Sequence, residues 1–156
     1  MRLDEKYKTL LSNYGINTPL RLAHFMAQIE HESGGFKWLT ELGGKSYFEK
    51  YEGRKDLGNM QAGDGYKFRG RGFIQVTGRY NYILLSKDTR IDFVNNPNLL
   101  SQEANAMISA CWYWKLKNLN KYADLDDFKK ITKLINGGYN GLKERKDLLE
   151  KWKKLI

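Results

Sequence analysis

Apolar positions recur at helical spacing over most of the chain, and where that spacing fails the residues change in character as well. Between Pro19 and Glu32, the side chains of Leu22, Phe25, Met26 and Ile29 fall on one stripe, with Ala23 and Ala27 forming a second, small-residue stripe beside it. Thr18-Pro19 supplies a capping hydroxyl followed by a proline at the first helical position, and Gly34-Gly35 ends the run. Only Arg21, Gln28 and Glu32 make up the polar stripe, so the pattern predicts a buried central helix. A second helix starts at Ser101 and runs through Ala104, Met107, Ile108 and Cys111 to Lys115. A third, capped by Asp124 or Asp126, carries Phe128, Ile131 and Leu134 and stops at Gly137-Gly138. Residues 142–156 set Leu148, Leu149, Trp152 and Leu155 opposite a row of lysines, and residues 3–11 form a short opening helix. Residues 36–76 break the pattern. They are rich in Gly, Tyr and charge, and only Gly72-Phe73-Ile74-Gln75-Val76 reads as a short β-like run. Long loops are usually functional or disordered, and the aromatic content here argues against disorder.

Composition narrows this to one mainly α domain. The 156 residues show no repeat and no linker, so residues 1–156 read as a single domain with no separate binding module. No run of about 18 apolar residues is present to span a membrane. The opening Met1-Arg2-Leu3-Asp4-Glu5-Lys6 lacks the apolar core of a signal peptide, which implies synthesis and first residence in the cytoplasm. A lone Cys111 in the apolar run Ala110-Cys111-Trp112-Tyr113-Trp114 reads as a buried, inert thiol. Against 18 Asp+Glu there are 27 Lys+Arg, a net charge of +9, which favours polyanionic partners: nucleic acid, anionic membranes or envelope polymers.

Chemistry concentrates in three places. His31-Glu32-Ser33-Gly34-Gly35 is not a zinc helix, since a second His four positions on is missing, and neither a metal nor another cofactor is expected. Glu32 closes a mostly apolar helix at its negative end, where low-dielectric packing and the helix dipole both favour the protonated form that a general acid needs. Glycoside hydrolysis normally takes a second carboxyl group. The loop-rich stretch offers Glu41, Glu49, Glu52, Asp56 and Asp64. Glu41, between Trp38 and the flexible Gly43-Gly44, suits a position across a cleft from Glu32, although spacing alone does not select it. Gln75 and Thr77 share one face if the β-like run alternates, and Asn81 lies one turn into the next helix. Such amides and hydroxyls beside a Gly-rich turn suit hydrogen bonds to sugars and to a held water.

These residues carry a family resemblance. His31-Glu32-Ser33-Gly34-Gly35 resembles the signature of family 19 glycoside hydrolases. Leu57-Gly58-Asn59, Gly63-Asp64-Gly65-Tyr66 and the run from Arg69 through Gly78 to Asn81-Tyr82 resemble the bacterial and phage lysozyme-like branch of that family. Asn96-Pro97, the Ala110–Trp114 helix and Ile135-Asn136-Gly137-Gly138 follow in the family's order, so the resemblance spans roughly residues 20–152. It implies a lysozyme-like, mainly α fold with a minimal β element and a cleft between two lobes. It implies Glu32 as general acid and Glu41 as general base, with Gln75, Thr77, Asn81 and Asn136 holding substrate and water. Arg145 resembles a structural or cleft arginine of the family, and Ser46, near Tyr47, stands where some lytic members carry a water-holding hydroxyl. Plant chitinases of the family have more chain between their two glutamates and disulfides that this sequence cannot form.

The implied reaction is inverting: Glu32 protonates the glycosidic oxygen while Glu41 deprotonates a water on the opposite face, over a separation of roughly 6.5–9.5 Å. The lytic motif variants and the basic charge point to β-1,4 bonds of peptidoglycan, as in a phage endolysin. Such an enzyme acts on an anionic envelope after a holin-type partner permeabilises the membrane, as a monomer and without a specific nucleic acid. Chitin, with its β-1,4-linked N-acetylglucosamine, is the alternative substrate. Outside the enzyme class, Arg69, Arg71 and the Lys-rich C-terminal helix suit a basic module binding the envelope or nucleic acid. That helix also suits an attack on anionic membranes, or simple docking on the core with its lysines solvated. Trp38, Tyr47, Tyr66 and Tyr80 suit stacking on sugar rings or burial.

Overall fold

A computed structural model describes residues 1–156 and places nine α-helices along the chain. They are α1 (Leu3–Lys6), α2 (Lys8–Asn13), α3 (Pro19–Glu32), α4 (Asp64–Lys67), α5 (Arg79–Thr89), α6 (Glu103–Leu116), α7 (Leu119–Asp124), α8 (Phe128–Asn136) and α9 (Leu142–Leu155). Short 3-10 turns occupy Tyr47–Tyr51, Lys55–Leu57 and Pro97–Ser101. No helix is long and apolar enough to cross a membrane. The chain divides into two compact units, one formed by Met1–Phe36 with Ala110–Ile156, the other by Lys37–Ser109.

The first unit is built around α3. Thr18 Oγ1 accepts the Arg21 backbone N–H at 3.2 Å, and Pro19 occupies the first turn, so the helix starts where the sequence places it. Its faces bury Ala23, Phe25, Met26, Ala27 and Ile29, with the Phe25 ring edge-on to Trp114 at 5.3 Å. Helix α9 packs along α3 and buries Leu149 and Trp152. Lys151 and the Trp152 indole both donate to Glu30, at 2.8 and 2.7 Å. The C-terminal helix is thus docked on α3 by its apolar side. Cys111 is fully buried, and desolvation pushes its thiol up to about 12, which leaves it inert.

Three expected boundaries move. The second helix starts at Glu103 and not at Ser101, because Pro97–Ser101 closes first as a 3-10 turn. The opening helix breaks at Tyr7, whose backbone (φ −108°, ψ 25°) separates α1 from α2. Helix α8 is capped by Asp127, which accepts from the Lys130 N–H at 3.2 Å, and not by Asp124 or Asp126. Both of those carboxylates have other partners. Asp124 takes a two-pronged bond from Arg21 at 2.8 and 2.7 Å, and Asp126 bonds His24 at 2.6 Å and Lys153 at 2.9 Å.

In the second unit the core is aromatic: Phe48, Phe68, Phe73, Tyr82 and Phe93 are buried, with Phe68 and Tyr82 in edge contact at 5.0 Å. The run from Gly72 to Val76 is not a strand. Gly72 (φ 83°) and Gln75 (φ 56°) are left-handed, and the segment folds into a tight turn in which Arg71 and Val76 bond each other's backbones. Single bridges from Arg71 to Thr40 and to Val76 are the only β pairing. The Arg71 side chain is buried as well. Its Nη1 donates to the Lys67 carbonyl at 2.8 Å and to the Tyr82 hydroxyl at 2.9 Å, and that hydroxyl donates to the Arg69 carbonyl at 2.5 Å. Burial pushes the Tyr82 phenol up to about 12, so it stays a donor at every working pH. A neighbouring buried carboxylate, Asp64, holds Arg79 at 2.8 and 2.9 Å. Desolvation opposes its charge, but the bonds from Arg79 and the Gln61 N–H, with the charges of Arg79 and Lys67, together draw its carboxyl below the usual range.

The His24 pair links the first unit's stability to pH. Burial draws the His24 imidazole below its ordinary value, outweighing the opposing pull of Asp126 and Asp127, while Lys153 acts in the same direction as burial. The unfolded chain therefore binds this proton more readily than the folded one. Stability is full above the unfolded value of about 6.5 and is lost as pH falls below it. The expected outcome is a melting temperature that drops between pH 7 and pH 5, with a shallower drop in His24→Gln over the same window.

Candidate active site

Glu32 is the last residue of α3, and the side chain that meets it comes from α9. Arg145 is buried, and its Nη2 donates to Glu32 Oε1 at 2.5 Å. Its other donors are equally committed. Nη1 reaches Gln28 Oε1 at 2.6 Å and Nε reaches the Asn140 carbonyl at 3.0 Å, while Gln28 passes its own N–H to Thr132 at 3.1 Å. The narrow polar stripe of α3 is therefore one end of a buried network, with Gln28 and Glu32 fastened by the same guanidinium. Sequence reasoning placed Glu32 against apolar packing; the structure gives it a cation instead. One oxygen is fixed by Arg145, and Oε2 has no hydrogen-bond partner, so it is available for proton transfer.

Asn136 stands one step further back. It closes α8 in an exposed position, and its Oδ1 accepts the Asn140 N–H at 3.3 Å, shaping the loop whose carbonyl holds Arg145. His31 precedes Glu32 at the end of α3. Its Nδ1 is buried with no hydrogen bond, 3.5 Å from Glu144, and the ring lies on Gly141. A Cβ at Gly141 would come within 2.4 Å of the ring, and the backbone there is left-handed (φ 70°), so only glycine fits.

In the second unit, Glu41 is held by two donors. The Tyr51 hydroxyl bonds Oε2 at 2.9 Å and the Gly70 N–H bonds Oε1 at 3.2 Å, while the Glu41 N–H returns to the Gly70 carbonyl at 2.8 Å. Burial and the bond to Glu41 both raise the Tyr51 phenol, so it remains the donor. Gly70 is also where the other polar groups converge. A methyl group added there would lie 2.8 Å from Gln75 Oε1, 3.1 Å from Glu41 Oε1 and 3.2 Å from Thr77 Oγ1. Strand alternation was the expected reason for Gln75 and Thr77 to share a face; the turn and its left-handed Gln75 bring them together instead.

The remaining bonds aim these groups. Gln75 donates to the Gly72 carbonyl at 2.9 Å, Thr77 to the Gln75 carbonyl at 3.0 Å, and Asn81, in the first turn of α5, to the Thr77 carbonyl at 2.9 Å. The oxygens of Gln75 and Asn81 keep their accepting capacity. Ser46 is exposed at the start of the Tyr47–Tyr51 turn and its hydroxyl caps nothing, whereas Thr77 Oγ1 shares the space over Gly70 with Glu41 Oε1. Trp38, Tyr47 and Tyr80 are exposed, and Tyr66 is partly covered by the Arg69 guanidinium at 4.1 Å. Tyr51 was not anticipated, because an aromatic residue in an aperiodic loop carries no spacing signal that marks its contact.

Two substitutions probe these arrangements. Gly70→Ala keeps an ordinary backbone but pushes three polar side chains aside. Turnover should fall about 100-fold, as for a misplaced catalytic group, with a stability cost of about 1–3 kcal/mol in urea unfolding. Arg145→Ala strips the network of its donor, and urea unfolding should show a loss of about 3 kcal/mol.

Known proteins share this organisation. The family model for chitinase class I, of glycoside hydrolase family 19, matches residues 17–127. A glycosyl hydrolase family 19 domain-containing protein of Haemophilus influenzae is 34% identical over 159 residues, covering 84% of this chain and 78% of that protein. An endochitinase of Pisum sativum is 31% identical over 148 residues, covering 75% of this chain but 45% of its own. The chain thus spans less than half the length of that plant relative. The crystal structure of chitinase C from Streptomyces griseus superposes with a TM-score of 0.72 at 23% identity, covering 88% of this chain and 59% of that one, which shows the shared fold. The chain belongs to glycoside hydrolase family 19.

Proposed function

We propose that this protein hydrolyses β-1,4 bonds between N-acetylated glucosamine units, with chitin-type chains as the first substrate class. The observation that carries the reading is the convergence of Glu41, Gln75 and Thr77 on Gly70. One carboxylate, one amide oxygen and one hydroxyl around a side-chain-free position form a cradle for a water and the base that deprotonates it. Glu32 is the acid. Arg145 fixes one of its oxygens, leaving the other to protonate the departing sugar oxygen as the bond to the anomeric carbon breaks. Glu41, fixed by Tyr51 and the Gly70 N–H, takes a proton from the water that forms the new bond to that carbon. Attack opposite the leaving group inverts the anomeric centre. Chitin is placed first because the named relatives are endochitinases and a chitinase.

A second reading is peptidoglycan, whose glycan has the same linkage and carries negative charge. The net charge of +9 favours it, since a basic protein is drawn to an anionic wall. On that reading the enzyme is of the endolysin type and meets its polymer once it gains access to the wall. Incubation with an N-acetylglucosamine hexamer and with purified cell-wall sacculi, followed by reducing-end analysis, separates the two. Glu32→Gln and Glu41→Gln should each lower turnover by about 100-fold to 10,000-fold, as for loss of a general acid or base, with the fold intact by circular dichroism. Freshly released product should be the α-anomer by NMR. A β-anomer, or unchanged turnover in Glu32→Gln, would overturn the assignment.

A further inference from the structure

The second unit carries a cluster of cations that the proposed chemistry does not use. Lys67, Arg69 and Arg71 line a surface depression of about 280 Å³ together with Tyr66, Pro97 and Asn98, and no carboxylate lines it. Arg71 is buried, yet every partner of its guanidinium is neutral: the Lys67 carbonyl, the Tyr82 hydroxyl and, at a long 3.4 Å, Asn98 Oδ1. Its Nε is buried with no hydrogen bond at all. A buried guanidinium ordinarily takes a carboxylate, as Arg145 takes Glu32 in the first unit. Here the counter-charge is missing from the chain. Arg69 adds to the excess: burial and the repulsion of Arg71 both draw its guanidinium below the ordinary range, against weaker opposing pulls from Tyr66, Tyr82 and Glu41. Its one bond in the depression is from Nη1 to the Tyr66 carbonyl at 2.9 Å, so other N–H donors are left over.

We infer that this depression is an anion subsite that receives the carboxylate of an acidic sugar, with Arg71, Arg69 and Lys67 as its donors. A planar carboxylate matches the guanidinium fork, and the depression is large enough for a substituent plus part of a pyranose ring. Pro97 and Tyr66 give the lining its apolar part, suited to the C–H face of a sugar. The inference rests on the glycosidase reading and bears on which polymer is cut. A chitin chain has no carboxylate to offer, whereas a glycan whose lactyl ethers end in a free acid, not an amide-linked peptide, or a peptide ending in a carboxylate, does.

Chemical-shift titration of the isotope-labelled full chain tests this. The probes are N-acetylmuramic acid, N-acetylglucosamine, which has the same ring without the acid, and N-acetyl-D-alanyl-D-alanine as the peptide source. N-acetylmuramic acid should shift the Arg69 and Arg71 Nε–H and Asn98 amide signals, and N-acetylglucosamine at equal concentration should not. A Lys67→Gln/Arg69→Gln double variant should bind the acid at least fivefold more weakly, with its spectrum otherwise unchanged. The same shifts from the dipeptide but not from the sugar acid would overturn the acidic-sugar assignment. Equal binding of the two sugars, no shift at these signals, or tighter binding of a DNA oligonucleotide to the same residues would also overturn it. Hydrolysis of the N-acetylglucosamine hexamer is followed in parallel and keeps the two readings apart. If the hexamer is cut while the acid does not bind, the subsite fails and the glycosidase stands. If the acid binds while neither hexamer nor sacculi are cut, the glycosidase fails and the anion site stands.

Discussion

The buried Arg145 guanidinium constrains everything around Glu32. A charge of that size out of water is tolerated only when its donors are met, and three of them are: by Gln28, by the Asn140 carbonyl and by Glu32 itself. Because these partners come from α3 and from the loop between α8 and α9, the network fixes how those elements meet. Helix α9 cannot slide along α3 without breaking bonds at 2.5 and 2.6 Å. The proposed acid, Glu32, is therefore positioned by the same bonds that set the packing, and its geometry is as stiff as the core beneath it.

The second unit solves the analogous problem with backbone. Arg71 again sits in the interior, but here its main chain also makes the bridges to Thr40 and Val76. Those bridges close the turn that carries Gly70, Gln75 and Thr77, while the Arg71 side chain ties that turn to α4 and α5 through the Lys67 carbonyl and Tyr82. Glu41 is then attached by backbone pairing with Gly70 and not by a cation. Two carboxylates with different proposed roles thus have different supports: a guanidinium for Glu32, and a phenol with an amide for Glu41.

Much of this was legible beforehand, for identifiable reasons. Helix α3 was readable to the residue because a capping threonine, a first-turn proline and two terminal glycines coincide with an unbroken apolar stripe. Helix α9 was readable because Leu149 and Trp152 recur at helical spacing among lysines. Glu32 was visible as a carboxylate at the end of an apolar helix, but its partner lies 113 residues away, beyond the reach of any local pattern. The sequence offers Asp124 or Asp126 as the cap of α8; ion pairs with Arg21, His24 and Lys153 engage both, and Asp127 caps the helix instead. The run ending at Val76 read as a strand because Phe, Ile and Val favour one. Two left-handed residues turned it into a hairpin bend, an outcome that alternation cannot encode.

One of those residues sets stability against activity. Gln75 holds a left-handed backbone without being glycine, a conformation that costs about 1–2 kcal/mol for an ordinary side chain. Glycine would adopt the same bend freely, yet it would leave the position without the amide oxygen that faces Gly70. A search for thermostable variants that screens only for folding would favour Gly at position 75 and, on the role proposed for Gln75, lose turnover with it. The turn is a place where selection for chemistry and selection for durability pull the same residue in opposite directions.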